Sequence, residues 1–144
     1  PLSKQAVQKM VDTFESRRNL IWNQISKIPG ISCQKPGGAF YLFPNISAVC
    51  ENLDLINKHQ SLSPEEQSSP ANLFQMFSLY EHQVAVLDRN SFGQIGADGR
   101  HFLRLSIAAE QSVLEEGVRR IKAAAEDVSG LDKFLKKRPD LNLS

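Results

Sequence analysis

Residues 101–107 read HFLRLSI, and this stretch decides the fold that we predict for the chain. Aliphatic residues alternate in it with residues of other kinds, in the order Phe102, Leu103, Arg104, Leu105, Ser106, Ile107. A period of two residues is typical of a β-strand, because successive side chains point to opposite faces of a sheet. The stretch therefore predicts a strand with three aliphatic residues on one face and Arg104 on the other.

Helices and further strands are predicted on both sides of this strand. Apolar residues recur at three- and four-residue steps in several segments, which predicts amphipathic helices there. These helices cover residues 4–28, 73–80, 113–125 and, as a short closing helix, 131–137. Apolar runs bounded by turn residues predict a strand at 31–34, a buried strand at 39–43 and a central strand at 84–87. This order lacks strict β-α-β alternation, so we predict the α+β class, with a small mixed or antiparallel sheet covered by helices.

The length of 144 residues predicts a single domain with a sizeable core. We place this domain at residues 1–138 and a tail at 139–144. A polar stretch before Pro70 indicates an exposed loop inserted at 46–70. The chain begins at Pro1 and not at Met, so we expect it to be a piece of a longer protein.

The composition argues against several classes of partner. Lys and Arg total 17 against 16 Asp and Glu, a formal net charge of +1, which gives no support to nucleic-acid binding. No apolar run approaches the roughly 20 residues of a membrane-spanning helix. The two cysteines, Cys33 and Cys50, are too few for a disulfide framework and favour reduced thiols in the cytoplasm. The histidines lack the spacing of metal ligands, so no metal is expected; they are His59, His82 and His101.

Arg104 is the candidate binding residue. It lies between two leucines in the predicted strand, where a charge is costly unless it is paired. A guanidinium fixed on a strand presents a planar fork of donors that suits a carboxylate or a phosphate. Two structural alternatives remain open on these residues: an internal salt bridge, or an edge strand on which Arg104 faces water. The Gly93–Gly96 pair has neither dinucleotide-binding nor P-loop spacing and is interpreted as a turn.

An ordered set of motifs resembles the small C-terminal domain of fold-type I, pyridoxal-phosphate-dependent aminotransferases of the aspartate aminotransferase class. The motifs are Arg17-Arg18, PGGAFYLFP at 36–44, VAVL at 84–87, SFG at 91–93, FLRLSIA at 102–108 and LEEGVRRI at 114–121. One departure is Asp88-Arg89, where many members of the family have Pro-Gly.

The resemblance implies an enzyme that moves an amino group between an aspartate-like amino acid and a 2-oxo acid. It implies that Arg104 binds the substrate α-carboxylate through a bidentate ion pair. It also implies a homodimeric, cytoplasmic enzyme with pyridoxal 5'-phosphate as cofactor. The lysine that binds this cofactor and its other main ligands would lie outside this chain, so the chain would hold no catalytic or cofactor-binding residue and be inactive alone.

Two alternatives to an aminotransferase are kept. One is a lyase or an acyl-transferring synthase on the same scaffold, which would also use an arginine for the substrate carboxylate. The other is a stand-alone binding module without enzymatic activity.

Overall fold

The computed structural model describes residues 3–62, 69–93 and 97–137. These residues form six α-helices and a three-stranded sheet, which confirms the α+β class. The helices are α1 Lys4–Ser26, α2 Ser47–Asn52, α3 Leu55–Ser61, α4 Pro70–His82, α5 Gln111–Glu126 and α6 Val128–Lys137. The strands are β1 Tyr41–Leu42, β2 Leu87–Asp88 and β3 Leu103–Ser106, and a 3₁₀ helix, Arg89–Phe92, follows β2.

The centre of the sheet is β3. Its order is β1-β3-β2, and both pairings are antiparallel. The prediction of a central strand at 84–87 is therefore wrong, because β2 begins at Leu87 and lies at an edge. The backbone N–H of Asp88 donates to the side-chain carbonyl of Gln75 on α4 at 2.7 Å, so a helix side chain takes the place of a further strand.

The two faces of the sheet differ in burial. The predicted alternation along β3 is confirmed, since Leu103, Leu105 and Ile107 are all buried in the core. Residues directly opposite each other in a sheet share a face, and Ser106 and Arg104 pair with Tyr41 and Leu87. We call the face that carries Tyr41, Leu87, Arg104 and Ser106 the open face.

Two other predicted strands need correction. The segment 39–43 was predicted to be buried, but Phe40 and Phe43 are 49% and 42% exposed, and Leu42 alone of this segment is in the core. The reason is that β1 is an edge strand with a single face against the core. At 31–34 the structure has no strand but one isolated bridge, between Ser32 and Asn45.

The prediction of an exposed loop at 46–70 is wrong for residues 47–61, which form α2 and α3. Val49, Leu53 and Leu55 are fully or almost fully buried there. The sequence carries a helical signal here, with apolar residues at i, i+3, i+4 and i+7 from Ile46 to Leu53, but the polar residues that follow dominate the pattern. Residues 63–68 and the predicted tail at 139–144 lie outside the described residues.

The burial of apolar residues in helix α1 changes along its length. Its second half packs into the core through Ile21 and Ile25, as predicted. Its first half leaves Val7, Met10 and Val11 between 40% and 49% exposed, although the helical period had placed them on the same apolar face. Within the described ranges, no helix is long and apolar enough to cross a membrane.

Both cysteines are free thiols, and burial controls their reactivity. Cys50 is fully buried in α2, and desolvation together with the nearby Asp88 charge raises the pKa of its thiol to about 12. Cys33 is partly buried, and desolvation raises its pKa as well. Because the thiolate is the reacting form, both groups are poor nucleophiles in the folded chain.

We expect iodoacetamide to discriminate between these thiols in mildly alkaline buffer. Cys33 is modified slowly in the native protein, and Cys50 is modified only after the chain is unfolded by denaturant, because it has neither access nor thiolate character. Peptide mass mapping before and after denaturation measures the two rates. Rapid labelling of Cys50 under native conditions would contradict the packing of α2.

Candidate carboxylate-binding site

Arg104 lies on the open face of β3 with two aromatic rings near it, one from β1 and one from the 3₁₀ helix after β2. The central carbon of its guanidinium is 4.1 Å from the centroid of the Tyr41 ring, on β1. It is 3.9 Å from the centroid of the Phe92 ring, at the end of the 3₁₀ helix that follows β2. Both distances are well within the range of a cation–π interaction.

The guanidinium of Arg104 has no acidic partner in the part of the chain that the structure describes. None of the ion pairs among residues 3–62, 69–93 and 97–137 includes it, and none of these residues accepts a hydrogen bond from it. The alternative of a salt bridge within the described residues is therefore not supported. The edge-strand alternative also fails, because β3 is the central strand and Arg104 is partly buried.

This arrangement suits a planar anion. The five N–H donors of an arginine lie in the plane of its guanidinium, so rings near its faces leave the donor edges accessible. A carboxylate that approaches such an edge accepts two parallel hydrogen bonds. The site therefore offers bidentate binding of a carboxylate from outside the described residues.

Asp88 fixes the segment that carries Phe92. Its side chain accepts a hydrogen bond from the backbone N–H of Asn90 at 2.9 Å and so caps the 3₁₀ helix. The same carboxylate accepts a hydrogen bond from the Ser69 hydroxyl, which itself caps α4. Asp88 is only 2% exposed, and these contacts join the start of α4 to β2 and Phe92.

In the sequence, Asp88 is noted only as a departure from the family pattern. An Asp before a polar turn is a capping signal that would have revealed this role.

A second positive region adjoins Arg104. A cleft of about 590 Å³ is lined by the cationic residues Lys35, Arg89 and Arg100, together with Tyr41 and other residues. Arg89 and Arg100 lie 5.7 and 5.3 Å from the centroid of the Phe102 ring. Tyr41 belongs both to this cleft and to the contacts of Arg104, so the surroundings of the site favour anions.

The histidines lie elsewhere. His82 contacts Asp127 at 2.9 Å, between the ends of α4 and α5. Burial lowers the pKa of both His59 and His101, which favours their neutral forms. Among the described residues, no three side chains of His, Cys, Asp or Glu converge as metal ligands would.

Fold and site together define an α+β domain with a partly buried arginine on the open face of its sheet, and known proteins contain a similar domain. No family model matches the chain. A probable aspartate/prephenate aminotransferase of Aquifex aeolicus is 39% identical over 128 residues, which cover 89% of this chain and 27% of that protein. Aromatic-amino-acid aminotransferase 2 of Thermococcus litoralis is 33% identical over 120 residues, 83% of this chain and 25% of that protein.

The structural comparison agrees with these sequence relatives. Alanine aminotransferase of Pyrococcus furiosus has the same fold over 87% of this chain and 27% of its own length, with a TM-score of 0.64 at 23% identity. The chain thus belongs to the fold-type I aminotransferases, and it corresponds to their small C-terminal domain. It spans about a quarter of the length of the curated relatives it matches.

We expect Asp88→Ala to lower the free energy of unfolding by about 1–3 kcal/mol, because it removes a buried acceptor from the Ser69 hydroxyl and the Asn90 N–H. Urea denaturation measures the change. The control is Asp132→Ala, which removes a half-exposed carboxylate paired with Lys58 at 3.3 Å and costs about 0–1 kcal/mol. Equal losses for the two variants would show that the Asp88 contacts are not structural.

Proposed function

We propose that this domain forms one wall of the active site of a pyridoxal-phosphate-dependent aminotransferase. In this proposal Arg104 binds the α-carboxylate of an aspartate-like amino acid and of the 2-oxo acid. The observation that carries the proposal is the guanidinium of Arg104, which lies between two aromatic rings without an acidic partner among the described residues. The similarity of the chain to aminotransferases supports the same proposal independently of the geometry.

The physical case rests on the charge balance of the open face. A partly buried guanidinium without a counter-ion is unfavourable, and an incoming carboxylate removes this cost when it binds. A hydrogen bond to a charged group contributes about 1.5–3 kcal/mol, and a bidentate contact also fixes the orientation of the ligand. Such fixed orientation lowers the entropic part of the barrier for a reaction at the neighbouring α-carbon.

The described residues around Arg104 do not fit the cofactor itself. Pyridoxal phosphate requires a lysine for its aldehyde and a partner for its ring nitrogen. Of the nearby carboxylates, Asp88 is buried and bound to Ser69, and Asp98 pairs with Arg100 at 3.6 Å. Lys35 lies over the ring of Trp22, 5.4 Å from its centroid. We therefore assign the cofactor ligands to a part of the protein outside this chain.

The chemistry that remains for this chain is binding and orientation. Arg104 holds the carboxylate of the amino acid in one half-reaction and that of the 2-oxo acid in the other, since both substrates present the same group. The family resemblance supports a cytoplasmic homodimer for the whole enzyme. The chain alone would have no transaminase activity, because the proton-transferring lysine would belong to the other part of the protein.

We expect Arg104→Lys in the full-length enzyme to raise the KM for L-aspartate roughly 10- to 150-fold, because an ammonium group loses one of two charge-assisted hydrogen bonds worth about 1.5–3 kcal/mol each. Steady-state kinetics with 2-oxoglutarate as amino acceptor measure the change.

A matched control for this experiment is Arg119→Lys. It conserves charge in the same way on the exposed surface of α5, where Arg119 pairs with Glu116. We expect its KM to equal that of the parent enzyme. An unchanged KM in Arg104→Lys would refute the assigned role of Arg104.

A further inference from the structure

We propose that Tyr41 and Phe92 are positioning residues that hold the Arg104 guanidinium in the orientation needed for two hydrogen bonds to a carboxylate. The inference rests on the proposed function, in which that carboxylate belongs to the substrate. It adds two side chains that act through Arg104 and are not required to touch the substrate themselves.

The first argument is geometric. The two rings come from opposite neighbours of β3, since Tyr41 belongs to β1 and Phe92 follows β2. Their centroids lie 4.1 and 3.9 Å from the same guanidinium carbon. A guanidinium at such distances rests against the rings with its planar faces, which directs its N–H donors sideways and away from them.

The second argument is that these rings are the contacts that restrain Arg104. An arginine side chain has several rotatable bonds, and their rotamer entropy must be lost before it can bind in a fixed geometry. Within the described residues no hydrogen bond or ion pair shares this task. The rings therefore restrict the rotamers of Arg104 before a ligand binds.

The third argument concerns Phe92 alone. Its side chain is 55% exposed, so it contributes little to the core. Even so, the segment that carries it is anchored by the buried Asp88 and followed by Gly93, whose φ of +108° few other residues adopt. Among the described residues, the ring contact of Phe92 is with Arg104.

The test uses the full-length enzyme with bound cofactor. Tyr41→Leu and Phe92→Leu keep an apolar side chain but remove the ring, while Tyr41→Phe and Phe92→Tyr keep the ring. The control is Phe40→Leu, which removes an exposed ring next to Tyr41 in the chain. The Phe40 ring packs against Phe14, at a centroid distance of 4.9 Å.

Two measurements are made on each variant. The first is the ¹⁵Nε relaxation of Arg104 in selectively arginine-labelled enzyme without substrate, with the signal assigned by its absence in Arg104→Lys. The second is the pair of constants KM and kcat for L-aspartate. A merely structural defect would not produce selective mobility of Arg104.

We expect both leucine variants to increase the mobility of the Arg104 Nε–H and to raise KM roughly 2- to 30-fold with little change in kcat, in line with a cation–π contribution of about 0.5–2 kcal/mol. The variants that keep the ring and the Phe40→Leu control retain the parent values. Unchanged mobility in both leucine variants, or equal mobility changes in Phe40→Leu, would overturn the inference.

The two proposals fail in different ways. If Arg104→Lys leaves KM unchanged while the leucine variants still mobilise Arg104, the rings position the guanidinium but the proposed function is wrong. If Arg104→Lys raises KM while the leucine variants leave the mobility of Arg104 unchanged, the carboxylate role stands and the positioning role is refuted.

Discussion

Alternate residues of β3 face the core and the candidate site. This alternation constrains the arrangement of the elements around the strand. Leu103 and Leu105 face the packed helices, so Arg104 between them faces the other way. Its charge is tolerated there because Arg104 is only partly buried and the rings of Tyr41 and Phe92 lie beside its guanidinium. The edge strands β1 and β2 are two residues long, and they are sufficient to bring Tyr41 and Phe92 to either side of the arginine.

A buried acid on the far side of the sheet supports this arrangement. Asp88 interacts with Ser69, Asn90 and Gln75 through its side chain and backbone. A carboxylate with 2% exposure is costly unless hydrogen bonds satisfy it, and here they do. The same bonds connect the beginning of α4 with the segment of Phe92, so a core residue helps to determine the geometry of a surface site.

The sequence predicted the α+β class and the two faces of β3, because a two-residue period over six residues allows few other interpretations. It failed where short elements depend on tertiary contacts. The helices α2 and α3 are six and seven residues long, too short to outweigh the polar residues beside them. The segment 84–87 is apolar enough for a central strand, yet only Leu87 of it belongs to a strand, and that strand pairs with β3 alone and contacts α4.

The site was predictable only in part. Arg104 stood out as a charge inside an apolar pattern, which is a local signal. The contacts with Tyr41 and Phe92 join residues 41, 92 and 104 across three elements, and no spacing along the chain encodes them. Asp88 carried a local capping signal, but its bond to Ser69 spans 19 positions and depends on the packing of α4.

The alternation along β3 has an evolutionary consequence. Substitutions on the open face leave the buried leucines untouched, so selection for a new ligand can act there with little penalty for folding. The relatives carry names that differ in substrate, with aspartate and prephenate for the Aquifex protein and aromatic amino acids for the Thermococcus protein. A scaffold whose ligand-facing residues lie mostly outside the core can diversify its chemistry while its architecture stays constant.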